Sequence, residues 1–97
     1  MKVYQDGEDG MTIIVEGNQV IIADTVEGES PVEAFDGEKW MSYDYENIPK
    51  KIETLIDTAL GICDDYETKS FEDIPEDIQK LLPKEVQEMV EMAKEDR

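Results

Sequence analysis

The chain of 97 residues carries 26 acidic and 9 basic side chains, a net charge of −17, no histidine and one cysteine. This composition excludes Ser-His and Cys-His nucleophiles, zinc sites built from histidine or a cysteine cluster, and any intramolecular disulfide. It also excludes an electrostatic grip on nucleic-acid phosphates or on anionic membranes.

The length suits one small core, and a single acidic domain is expected over residues 1–97. Both halves are acidic, with 12 acids to 2 bases up to Ile48 and 14 to 7 after it. The charge therefore belongs to the body of the chain rather than to an acidic tail. The opening MKVYQDGEDG has no apolar signal-peptide stretch, and the longest aliphatic run, Val20 to Ala23, is far too short to span a bilayer. A reducing, cytoplasmic setting with no membrane contact is expected.

In chain order, Lys2 to Gln5 reads as a short strand, followed by a turn over Asp6 to Gly10. Next, MTIIVEGNQVIIAD places two β-rich runs on either side of Gly17-Asn18, a central hairpin over 11–24. Glycine first in a two-residue loop suits a type II′ turn. That register sets Val15 against Val20, Ile14 against Ile21 and Ile13 against Ile22. The first and third pairs share one face and Ile14 with Ile21 lies on the other, so both faces need cover.

Ser30, Pro31, Val32 and Glu33 have the spacing of a capping box with proline at the first helical position, which predicts a short helical turn ending before Gly37. Trp40 to Tyr45 alternates with period two and predicts another strand. From Pro49 the period becomes helical: Ile52, Leu55, Ile56, Ala59, Cys63 and Tyr66 form one stripe, with Asn47 as its cap and Gly61 inside it.

Ile74, Ile78, Leu81 and Leu82 predict a short helix from near Pro75. Pro83 ends it and starts a last helix with Val86, Met89, Val90 and Ala93 on one side. Strands first and helices later predicts an α+β fold, a small antiparallel sheet of three to four strands covered by two or three C-terminal helices.

Nothing in this pattern carries catalysis. The six glycines are dispersed and build no phosphate-binding loop. Cys63 lies on a core stripe and is followed by Asp64 and Asp65, which oppose thiolate formation, so it reads as a packing residue. An EF-hand-like loop begun at Asp65 would put Lys69 at a ligand position and Ser70 where the turn glycine belongs. No cofactor, dedicated metal site or catalytic residue is expected, only weak divalent binding.

What remains is the charge. A compact acidic domain can occupy the basic groove of a nucleic-acid-binding protein, as small acidic inhibitors of phages and mobile elements do. The expected partner is a basic protein, one that binds nucleic acid, and not nucleic acid itself.

The stretch DDYETKSFEDIPED at 64–77 holds seven carboxylates, and its partner-binding candidates are Asp64, Asp65, Glu67, Glu72, Asp73 and Asp77. Asp73 and Glu76 also have capping-box spacing for the helix near Pro75. The competing expectation is an ordinary accessory domain whose acids only keep it soluble and which binds through an apolar patch, at Ile14 and Ile21 or at Met89 and Met92.

Overall fold

The computed structural model describes residues 1–5, 11–24, 32–64 and 69–95. The class is α+β, but the sheet is larger than expected and mixed. It has six strands: β1 (Lys2–Gln5), β2 (Met11–Glu16), β3 (Gln19–Asp24), β4 (Val32–Phe35), β5 (Trp40–Tyr43) and β6 (Lys69–Ser70). Their spatial order is β5-β4-β3-β2-β1-β6. All neighbours are antiparallel except β1 and β6, which run parallel.

The hairpin takes the register expected from its apolar pattern, with Val15 opposite Val20, Ile14 opposite Ile21 and Ile13 opposite Ile22. Gly17 has φ +59°, as a primed two-residue turn requires. Strand β1 adds antiparallel to β2, also as expected. The turn expected at Asp6 to Gly10 lies outside the described residues.

Two strand assignments are corrected. Residues 32–35 form a strand, not a helical turn. Val32 and Ala34 face one way and are buried, while Glu33 and Phe35 face the other, so the tetrapeptide bonds β3 on one side and β5 on the other. The capping-box spacing was a coincidence of composition, and Ser30 and Pro31 lie outside the described residues. The second correction is β6, whose two residues are too few to show any period.

Three helices follow: α1 (Lys50–Asp64), α2 (Glu76–Leu81) and α3 (Lys84–Glu95). Each starts directly after an aliphatic-proline pair, Ile48-Pro49, Ile74-Pro75 or Leu82-Pro83. Proline disfavours the helical state of the residue before it, and all three aliphatic residues are extended, with ψ of 130°, 124° and 152°. The proline carbonyls then accept the first helical bonds, from Ile52 and Glu53, from Gln79 and from Gln87.

Asn47 therefore does not cap α1; it ends a separate 3-10 turn over Tyr45–Asn47. For the same reason Asp73 and Glu76 form no capping box: the residue preceding α2 is Pro75, and Asp73 closes a 3-10 turn over Phe71–Asp73.

Both sheet faces are covered. On one, Ile56 and Ala59 of α1 pack on Val3, Ile14, Ile21, Val32 and Ala34. On the other, Phe71, Ile74, Leu82, Val86 and Val90 pack on Tyr4, Ile13, Val20 and Ile22. Among the described residues no helix is long and apolar enough to cross a membrane.

Helix α2, six residues long, keeps its place through other elements' side chains. Trp40 Nε1 donates to the Leu81 carbonyl (2.8 Å), and Gln87 Nε2 donates to those of Leu82 (2.7 Å) and Lys80 (3.2 Å). Carbonyls at a helix C-terminus have no partner inside the helix, so these bonds satisfy groups that would otherwise rely on water.

Candidate functional site

Of the acidic stretch 64–77 that stood out in the sequence, residues 69–77 form β6, laid beside β1, the 3-10 turn and the start of α2. Phe71 and Ile74 anchor it, each 2% exposed, so the acids between them project from a fixed backbone. Asp73 and Asp77 are exposed and Glu72 is half-buried. The Ser70 hydroxyl donates to Asp73 Oδ2 (3.3 Å), which holds that carboxylate on the outer side of the turn. Asp65 and Glu67 lie outside the described residues, as do Tyr66 and the side chains of Cys63 and Asp64.

Beside Asp77 lies Tyr4, a residue sequence reasoning passed over. It is 2% exposed, yet it lines a surface groove together with Lys2, Val15, Pro75, Asp77 and Ile78. Burial pushes the Tyr4 hydroxyl above its ordinary pKa, and the charges of Asp73 and Asp77 push it further. The structure thus brings two of the sequence candidates to bear on one buried phenol. The available signal was the tyrosine's place in a strand between Val3 and Gln5, on the face opposite Val3.

Carboxylates elsewhere are spread over the surface. Glu85, Glu88, Glu91 and Glu95 line the exposed side of α3, and Glu53 and Asp57 that of α1. Thr12 is the buried polar residue of the described core, and no carboxylate joins it there. Met1 pairs its amino group with Glu16 (3.3 Å). Among the described residues no three metal-ligating side chains converge on one point.

Asp36, in the β4–β5 turn, accepts the backbone N–H of Glu38 (2.8 Å) and of Lys39 (3.0 Å). Those bonds, Lys39 first, hold its carboxyl below the ordinary value. Its role is structural, closing a turn whose Gly37 has φ +103°.

The apolar-patch expectation is corrected in part. Ile14 and Ile21 are 1% and 2% exposed beneath α1, so that surface is not available to a partner. Met89 packs against the core, whereas Met92 is 65% exposed. A second apolar surface was not foreseen: Leu81 on α2 is 41% exposed beside Trp40 and Pro83, while Met41, 43% exposed, lies on the other face of β5 with Ala34 and Tyr43. Glu33 lies at the same place as Leu81, on the face opposite Val32 and Ala34. It was hidden by the helical reading of 32–35, under which alternation had no meaning.

Comparison with models of known protein families, with curated proteins and with solved structures returned no match.

Proposed function

We propose that this chain is a non-enzymatic interaction domain whose acidic surface occupies the basic groove of a nucleic-acid-binding protein and so competes with its nucleic acid. One observation carries the reading. Asp73, between the buried Phe71 and Ile74, and Asp77, which shares a surface groove with Tyr4, are exposed on ordered backbone, so negative charge is concentrated at a fixed position rather than on a free tail. Fixed carboxylates can match the spacing of a basic groove without first losing conformational entropy. The wide spread of acids over α1 and α3 adds long-range attraction for a positive partner.

The test uses basic nucleic-acid-binding proteins of the native host. Binding to one of them should weaken steeply as salt rises, and DNA or RNA should compete for it. The Asp73→Asn, Asp77→Asn double variant should bind more weakly while melting normally. Salt-insensitive binding without competition by nucleic acid would overturn the reading. The competing apolar contact keeps Met92 as its surface; it predicts salt-insensitive binding by the parent chain that Met92→Asp abolishes.

A further inference from the structure

Strand β5 ends the sheet, and no described strand pairs with its outer edge. The Asp36 N–H donates to the Lys39 carbonyl (3.2 Å), so that pair is hydrogen-bonded in the hairpin. Pairs alternate along an antiparallel ladder, which makes Ala34 with Met41 and Val32 with Tyr43 the next bonded pairs. Trp40 and Ser42 therefore turn their N–H and C=O groups away from β4, as open ladder positions.

The groove beside this edge has an unusual lining. Trp40, Leu81, Leu82 and Pro83 supply apolar walls, and Glu33 adds one carboxylate next to Ser42. Glu33 makes no ion pair with a described residue. The Trp40 ring is fixed by its bond to the Leu81 carbonyl and by Phe35, whose ring centre lies 5.4 Å away. A long aliphatic stem ending in a cation fits such a lining: the stem lies on the apolar walls, with the head at Glu33 and over the indole.

Strand β5 itself carries no charge, while Asp36, Glu38, Asp44 and Glu46 are exposed at its two ends beside one base, Lys39; Lys80 and Lys84 adjoin the groove residues Leu81 and Pro83 on the α2 side. A second copy of this chain, also at −17, would be repelled. We infer that the outer edge of β5 accepts an extended segment of a basic partner as an added strand, with an arginine opposite Ser42 reaching over it to Glu33. The added residue lies two strand spacings, about 10 Å, from Glu33, with only the small serine between. Main-chain bonds would supply affinity and the arginine pocket selectivity. This rests on the reading that the partner is basic, and adds where and in what conformation it docks.

The probe is a labelled ten-residue peptide alternating arginine with threonine, followed by anisotropy and by the fluorescence of Trp40, the single tryptophan. Two further peptides carry N-methyl groups on the arginine amides or on the threonine amides. Docking as a strand requires one methylated peptide to bind about ten-fold or more weakly and the other to bind like the parent. Glu33→Gln should weaken the parent peptide about ten-fold and leave a citrulline version unchanged. Equal binding by both methylated peptides, still lost at high salt, would overturn strand docking while the acidic-surface reading stands. No binding by any arginine peptide at low salt would overturn both. The peptide comparison uses the native chain, so it decides the matter even if Glu33→Gln fails to fold.

Discussion

Ile14 was the natural site at which to test an apolar contact surface, and the structure turns it into a test of the fold. It is 1% exposed, between Val3 and Ile21 in the sheet and under Ile56 and Ala59 of α1. Ile14→Ala at a site this enclosed costs about 3 kcal/mol, from lost burial and from the cavity left behind. For a domain of this size each kcal/mol lowers Tm by roughly 4–8 °C, so the variant should melt roughly 12–24 °C lower.

Ile14→Asp loses about 2–3 kcal/mol of apolar burial and adds several kcal/mol for a carboxylate with no partner. A chain of 97 residues has a total stability of only about 5–15 kcal/mol. Ile14→Asp should therefore lose most or all of that stability at 25 °C, whereas Met92→Asp at 65% exposure should stay within about 0.5 kcal/mol of the parent. Urea unfolding followed by far-UV circular dichroism reads all three variants. A cooperative Ile14→Asp transition near that of the parent would refute the placement of α1 over this face.

Gly61 lies within α1 with open space where a Cβ would stand, so Gly61→Ala should add about 1 kcal/mol in urea; no gain would contradict a helix that continues through it. Gln87→Ala leaves two carbonyls at the end of α2 unsatisfied and should cost about 1–2 kcal/mol by the same assay. The folded chain holds the Tyr4 proton more tightly than the unfolded chain does. The resulting stability is complete below pH 10 and lost as pH rises through the folded-state value. Absorbance titration should show the late phenol shifting partway back toward 10 in the Asp73→Asn, Asp77→Asn variant, because burial, the larger cause, remains. Asp36 works in the opposite direction: its contribution is complete above pH 3.8 and lost as pH falls through its lower folded-state value. Asp36→Ala should remove that part of the acid-side loss and speed hydrogen exchange at the Glu38 and Lys39 amides, and unchanged exchange would refute the turn assignment.

The sequence was most readable where periodicity and local chemistry agree. The hairpin register followed from two alternating apolar runs and a glycine turn, and the residues demanding cover on each face did receive helices. The helix starts at Pro49, Pro75 and Pro83 were visible too, because proline acts on its own neighbours. Reading failed where a short segment matched a local motif by composition. Val32 to Phe35 is decided by pairing with residues on both sides, which no local spacing reports, and β6 is too short to carry a pattern. Asp73 had cap spacing but preceded Ile74-Pro75, and the proline's steric effect decided the outcome. The acids of 64–77 were legible as a concentration of charge, yet their relation to Tyr4 depends on a parallel pairing across the chain. Glu33 could be placed only once its strand was known.

Helix α2 has further meaning for how the molecule opens. At six residues it is well short of the roughly 12–15 at which a helix becomes even marginal by itself in water. Its last carbonyls are held from β5 by Trp40 and from α3 by Gln87, and Lys94 Nζ reaches Gln79 Oε1 (2.8 Å). Those ties make α2 a dependent element: it has no persistence until the far edge of the sheet and the last helix are in place. Loss of β5 or of α3 should then always take the α2 amides with it, so α2 should exchange no more slowly than either.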